Sequence, residues 1–558
     1  MAIQFGIENV RRLNMPNSIE FKPINIIVGK NSSGKSTFVR SLPLIRQSLL
    51  TRTNAPILWF GDLVDFGSYK TAVFDHNIDV PIAFTIGEKE IVVDHRSLHQ
   101  SRFRASADQR IFRIASFTAR YEIGSRVTSN NRQQTILKSV IYKVDGNEKL
   151  ELIIKLADDG LRVQDAVLNG RSLSKIIPID SFRLPRLLFS TFVVGGKNSH
   201  SDERGFYMED PFSFLVGILF NTLKGNVDKR LKESNVHAFF SRMLLSAPFD
   251  KSRIRGIAGQ YSARLVGYID KVFDAPNSSD YDTIITIMNI YYMMQLSLHI
   301  LPRVKLAFEQ CTYIGPVRAR SNRYYRLQEL SVSDIDPDGT NLPMFLSSLT
   351  GRQMDSFSNF VQSTFGFGVQ MENSEGHLSL YLKYPHDRTN IVDSGFGVSQ
   401  LLPVLAQLWW STSAARLFRG RQLSKGRAPI FLAMEQPELH LHPAHQALLA
   451  DIFVETLASA KDGPAMSLII ETHSSEIINR LGALIEAKRL DAESVQIIIF
   501  DESDANADLD NPASLEAADK RQIFGGSSRV QIVPKIVEFS EKGILKGWPA
   551  DFFIPNIL

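Results

Sequence analysis

The stretch that most constrains this chain is GKNSSGKST, residues 29 to 37, which fits the spacing G-x-x-x-x-G-K-[ST] with Gly29, Gly34, Lys35 and Ser36. Glycines at these positions let a loop turn back with its amides pointing inward, toward an anion. Lys30, Asn31, Ser32 and Ser33 fill the loop, and Thr37 follows Ser36. In a loop of this kind the backbone N–H groups and a helix N-terminus cradle phosphates. The lysine reaches the β and γ phosphates, and the hydroxyl after it ligates Mg²⁺. The pattern also arises by chance, so its context decides. INIIV before it reads as an apolar strand, and residues 36 to 50 (STFVRSLPLIRQSLL) place apolar side chains at helical spacing. Strand, glycine-rich turn and helix together lead us to expect ATP or GTP binding.

A phosphate loop needs a magnesium carboxylate, a base and a γ-phosphate sensor from elsewhere in the chain. The apolar run PIFLAME ends in Glu435, and SLIIE ends at Glu471-Thr472-His473, with His473 lying 38 residues after Glu435. A carboxylate at a strand tip can hold the Mg²⁺ water shell, so Glu435 joins Ser36 as the expected metal pair. A histidine after a second strand tip can hydrogen-bond a γ-phosphate, which is the expectation for His473. Gln436 follows Glu435, and its amide accepts no proton at neutral pH, although it can position a water. Glu438 is the alternative base. His440, His442 and His445 alternate in HLHPAHQ, but no partner cysteine or acidic set accompanies them, so the segment reads as a loop rather than a metal site.

A length of 558 residues points to several compact units, divided here into residues 1–98, 99–205, 206–310 and 311–558. Residues 79 to 172 alternate like an antiparallel sheet, and residues 210 to 310 are helical without a sustained heptad. The most apolar helix, residues 281 to 302, carries Asp282, Asn289, Gln295 and His299 and reads as a buried helix rather than a membrane span. The opening MAIQFGIENVRRLN lacks the pattern of a signal peptide. Cys311 alone excludes an internal disulfide and fits a reducing, cytoplasmic setting.

A net charge of +4 permits a polyanionic partner without requiring one. TYIGPVRARSNRYYR at 312 to 326 sets Arg318, Arg320, Arg323 and Arg326 among Tyr313, Tyr324 and Tyr325. Arg102, Arg104, Arg110, Arg113, Arg120, Arg126 and Arg132 crowd the β-rich region. Both segments suit nucleic-acid contact, or else an internal arginine network and solvated strand faces. A Toprim-type nuclease needs a longer C-terminal stretch than the 85 residues after His473, and the acidic loop FDESDANADLDNP at 500 to 512 reads as solvated.

INIIVGKNSSGKST, DSGFGVSQLLPVL, FLAMEQPELHLHP and IIETHSSEIINRL, in that order, resemble the ABC-type ATPases of the OLD-like and SMC-like group. Within that group they are most similar to bacterial ATPases with an AAA15-type domain and a DUF3696-like C-terminal segment, whose ending GILKGWPADFF also fits. The resemblance covers residues 1 to 60 and 310 to 490. It implies a fold class of α/β, a P-loop ABC-type ATPase head of mixed sheet and flanking helices, to which the periodicity of residues 79 to 310 adds an antiparallel β subdomain and a helical insertion. It also implies Walker A at Gly29 to Thr37, the Walker B carboxylate at Glu435 and the switch histidine at His473. Ser394, Gly395 and Gly397 become the signature segment that completes the ATP site of a second copy.

Two departures stand out. The usual Leu-Ser-Gly-Gly-Gln is replaced by Asp393-Ser394-Gly395-Phe396-Gly397, and the usual glutamate after Walker B is Gln436. Relatives of this kind occur in bacterial anti-phage systems of the Septu, retron and PARIS types. The expectation is therefore an ATP- and Mg²⁺-dependent homo-oligomer that controls a partner effector of nuclease chemistry. A DNA-repair or recombination ATPase acting directly on DNA is the alternative, and an OLD-like nuclease is disfavoured.

Overall fold

The computed structural model describes residues 2–98, 111–128, 132–146, 149–184, 188–195, 201–202, 205–206, 210–328, 332, 334–418, 429–460, 465–501 and 531–548. Arg102, Arg104 and Arg110, nearly all of the acidic loop, and the last five residues of GILKGWPADFF lie outside these residues. The chain forms two compact units. One comprises Met1–Gly6, Thr53–Ile57 and Ile78–Lys305; the other comprises Ile7–Arg52, Leu58–Asn77 and Leu306–Leu558.

In the second unit the strands β1 (Ile24–Gly29), β2 (Thr312–Ile314), β3 (Ile430–Glu435), β4 (Met466–Glu471), β5 (Val495–Phe500), β6 (Lys535–Phe539) and β7 (Leu545–Lys546) form one sheet, in the order β2-β3-β4-β1-β5-β6-β7. The first five are parallel, and β6 and β7 join antiparallel. Every residue of β1, β4 and β5 is buried. Unbroken apolar strands of this kind belong at the centre of a parallel sheet covered on both faces. Helices α1 (Lys35–Leu50), α2 (Phe396–Phe418), α3 (Pro443–Ala460) and α4 (Ser475–Glu486) supply the covering side chains, with Phe38, Leu42, Leu405, Phe453 and Leu481 all fully buried. A smaller antiparallel sheet of Tyr325–Arg326, Gly368–Ser374, His377–Lys383 and Arg388–Asn390 completes this unit.

Gly34 starts α1 with φ of 94°, and a Cβ there would sit 2.5 Å from the Leu13 side chain, so both backbone and space demand glycine. The expected strand–turn–helix is present.

In the first unit Ile82–Asp94, Ile111–Val127, Gln133–Asp145, Lys149–Leu156, Val163–Leu168 and Arg171–Ser172 pair consecutively as an antiparallel meander. The meander's first strand falls inside the expected lobe 1–98 but pairs with its successor, so this unit gathers sheet and helices that the sequence reading divided at residues 98 and 205. The helices are Pro211–Leu223, Glu233–Leu245, Lys251–Tyr261, Ala263–Phe273 and Ser279–Glu309. Among the described residues, Ser279–Glu309 is the one helix long and apolar enough to cross a membrane. Of its most apolar window 78% is buried inside the protein, which is how a core helix behaves.

Candidate functional site

The site lies at the C-terminal tips of β1, β3 and β4, where an open parallel sheet places its ligands. Parallel pairing sets Glu435 beside Glu471 and Glu471 beside Ile27, so two carboxylates occupy neighbouring tips. Ser36 and Arg40 are one turn apart on α1 and therefore share a face, at a spacing of about 6 Å along the axis that nearly matches the roughly 4.8 Å between strands. Two rungs result. The Ser36 hydroxyl donates to Glu471 Oε1 at 3.0 Å, and the Arg40 guanidinium clasps Glu435 with Nε–Oε1 at 2.7 Å and Nη2–Oε2 at 2.8 Å. Tyr313 OH donates to Glu435 Oε1 at 2.6 Å.

These contacts set the electrostatics. Burial, then the neighbouring Glu435 charge, pushes the Glu471 carboxyl up to about 7. Burial is also the largest cause of the raised Glu438 pKa and of the lowered Lys35 pKa. Partial desolvation and the Lys35 ammonium hold the His473 imidazole below its ordinary value, which favours the neutral ring at pH 7.

The phosphate loop itself fits an anion. Lys35 Nζ is folded onto the carbonyls of Gly29 at 2.9 Å and Lys30 at 2.8 Å, a resting position from which it can turn to a phosphate. The Ser33 hydroxyl is buried and has no partner among the described residues. Ser32, Ser33, Gly34, Lys35, Ser36 and Thr37 line a cavity of about 240 Å³ together with Arg11 and Arg12. A second cavity, of about 430 Å³, is lined by Asn31 of the loop and by Gln436, Glu438, His440, Gln446 and His473. The structure thus brings Gln436, Glu438 and His473 to one opening beside the P-loop. Glu435 lies elsewhere, buried and fully engaged.

Gln436 has φ of 44°, a left-handed backbone uncommon outside glycine. Its N–H donates to the Glu471 carbonyl at 2.8 Å, and Arg318 Nη2 donates to the carbonyls of Glu435 at 3.0 Å and Gln436 at 3.2 Å. Arg318 is buried, and its Nε and Nη1 have no partner among the described residues. Desolvation lowers its pKa to about 10, so the guanidinium stays charged at neutral pH. Glu438 Oε1 accepts the His473 backbone N–H at 2.8 Å, which ties the turn after β3 to the turn after β4. Ser474 reinforces that tie by donating to Gln446 at 2.7 Å, while Gln446 donates to the Leu441 carbonyl at 3.0 Å.

The expected signature segment leads into α2. Ser394 donates to the Ile391 carbonyl at 2.7 Å, and Gly395, at φ of 88°, has open space around its Cα. Gly397 packs directly on the turn after β3, where an added Cβ would lie 2.7 Å from the His440 carbonyl oxygen. The arginine-tyrosine segment divides in its roles. Arg318 serves the site from within, and Arg323 pairs with Asp393 of the signature segment at 2.6 and 3.0 Å. Arg320, Arg326 and Tyr324 remain exposed. Arg120 pairs with Glu122, and Arg126 bonds Gln134 at 2.8 Å, while Arg113 and Arg132 are exposed. His442 and His445 lie on the surface, and no group of three or more His, Cys, Asp or Glu among the described residues is placed to hold a metal.

Sequence reasoning missed Arg40, Tyr313 as a carboxylate partner, Glu471 as a site residue, and the Arg11-Arg12 rim. The Arg40 role was the most accessible of these, since its spacing of four from Ser36 puts both on one helix face.

Residues 330–478 match the AAA ATPase domain family. The matched stretch holds the segments expected to be signature, Walker B and switch, and residues 29 to 37 lie outside it. No curated protein matches the chain significantly. Similar solved structures include an SMC head bound to the C-terminal winged-helix domain of ScpA, at 12% identity and a TM-score of 0.29 over 97% of each chain. Another is the SMC head domain from Thermotoga maritima, at 8% identity and a TM-score of 0.29 over 89% of this chain and 94% of that one. A third is an SMC head with coiled coil and joint derived from Pyrococcus yayanosii, at 11% identity and 0.29 over 97% of this chain and 98% of that one. The chain therefore contains a segment with the pattern of an AAA ATPase domain, set in an α/β P-loop unit.

Proposed function

We propose that this protein is an ABC-type ATPase that binds Mg²⁺-ATP at the P-loop and associates head to head when loaded, so that nucleotide state controls a partner. The observation that carries the reading is the cavity where P-loop Asn31 meets Gln436, Glu438 and His473. Its loop side is Asn31, and its other side offers a water-positioning amide, a carboxylate and a neutral imidazole, while Lys35 and the rest of the loop line the neighbouring cavity that would take the phosphates. The match of residues 330–478 supports the reading independently, since it excludes the P-loop.

Gln436 fits a slow enzyme. An amide orients water but takes no proton, so turnover rests on Glu438 or proceeds slowly without a base. In this reading Ser394 and Gly395, which has open space around it, are the groups that would meet a second copy's nucleotide, with the N-terminus of α2 favouring negative charge. On the resemblance in the motifs, the partner is an effector, a nuclease by preference, in a cytoplasmic anti-phage response, with the exposed Arg326 and Tyr324 available to nucleic acid.

The test is ATP binding and turnover by the purified chain. Gln436→Glu should raise turnover about tenfold or more, by restoring a base where water is oriented, and Glu438→Gln should lower it. A Glu438→Gln variant that keeps full turnover removes Glu438 as the base. Mass measurement with and without ATP reads the association, and an unchanged mass counts against it.

A further inference from the structure

Within the nucleotide-binding reading, the two strand-tip carboxylates are not equivalent. Glu435 is 1% exposed, and both of its oxygens are taken by Arg40 and Tyr313 in three hydrogen bonds. To reach a cation it would have to abandon a bidentate guanidinium pair, the strongest kind of carboxylate contact in a protein. Glu471 is 3% exposed and makes one side-chain hydrogen bond, to Ser36, while its Oε2 is buried with no partner among the described residues. An orphaned, buried carboxylate oxygen is costly unless something completes it.

We propose that Glu471, and not Glu435, is the carboxylate that faces the divalent cation of a bound Mg-nucleotide, beside the Ser36 hydroxyl, and that Glu435 is a structural anchor for α1. The residues fit the group. Mg²⁺ takes oxygen ligands, keeps several waters, and is held in nucleotide sites by one or two carboxylates plus the substrate phosphates. Lys35 and Ser36 are the first two residues of α1, and Glu471 is the last residue of the strand paired to β1. The Ser36–Glu471 bond therefore already brings together a hydroxyl and a carboxylate at the mouth of the phosphate loop. A cation there completes Oε2 and offsets the repulsion between neighbouring Glu471 and Glu435, while Arg40 continues to neutralise Glu435. The helix–strand match that builds the two rungs assigns their roles: the rung nearer the loop handles the cation and the farther one holds the helix.

The assignment is tested on the full-length protein with Mn²⁺ as the probe, its binding followed by electron paramagnetic resonance in the presence of ADP. Nucleotide binding in excess chelator is measured in parallel. Glu471→Gln should weaken Mn²⁺ binding at least about tenfold, yet change metal-free ADP affinity less than about twofold, a factor worth under about 0.5 kcal/mol. Glu435→Gln should lower the melting temperature while Mn²⁺ affinity stays within about twofold. Glu471→Asp, which keeps the charge but shortens the reach, gives a second reading should the glutamine variant fold poorly, and should also weaken Mn²⁺. Loss of Mn²⁺ binding in Glu435→Gln with retention in Glu471→Gln overturns the assignment, as do equal losses in both or none in either. Failure of the wild-type protein to bind ADP even without metal is a different result, and it overturns the nucleotide reading itself.

Discussion

Both units bury charged and polar groups, but they treat them differently. In the first unit Glu88 is paired with Arg303 at 3.0 Å, Tyr142 OH donates to the Ser190 carbonyl at 2.8 Å, and Glu122 is held by Arg120 and Ser139. Each is a separate arrangement, within one pair of strands or between the meander and another segment. In the second unit Glu435, Glu438, Glu471, Lys35, Arg40 and Arg318 converge on the tips of neighbouring strands, and Glu471 and Arg318 keep atoms without partners. Burial of charge alone therefore does not distinguish a site from a brace. Convergence with incomplete pairing does.

The comparison can be broken by experiment. The largest effect is expected at the loop: Lys35→Ala should weaken ATP binding at least about 100-fold, near 3 kcal/mol, by calorimetric titration. Undiminished affinity would end the assignment of the second unit as the nucleotide unit. Next, Arg40→Ala strands a buried carboxylate and should cost about 3–5 kcal/mol in denaturant unfolding, with nucleotide binding impaired as well. Arg303→Ala in the first unit should also lower stability but leave ADP affinity unchanged, and a matching loss of affinity would erase the contrast between the units.

A smaller effect follows from Glu471. Its carboxyl titrates near 7 in the folded protein, above its value in the unfolded chain. A group raised in this way contributes stability that is complete below the unfolded pKa and lost as pH rises through about 7. Without nucleotide, Glu471→Gln should therefore melt higher than wild type at pH 8, and the two should converge near pH 4. Smallest of all, Arg171→Ala removes an exposed pair with Asp282 and should change stability by less than about 1 kcal/mol.

Much of this was legible in the sequence because it depends on short-range pattern. Glycine spacing sets the loop, apolar runs set β1, β3, β4 and β5, and His473 follows a strand tip as the spacing implies. The helical region and the alternating meander declare themselves by period. What was hidden depends on which strands become neighbours. Glu435 and Glu471 are 36 residues apart, and only the pairing of β3 with β4 makes them adjacent. Arg40 finds its partner only once α1 lies over both tips. The arginine-tyrosine segment misleads for the same reason, since Arg318 and Arg323 carry the composition of a nucleic-acid surface yet point at Gln436 and Asp393.

The contact between Gly397 and His440 has a mechanical meaning. Backbone meets backbone there with no side chain to bend or change rotamer, so the joint has no slack. The start of α2 therefore lies flush against the turn that carries Gln436, and any larger residue at Gly397 would force one of the two to move.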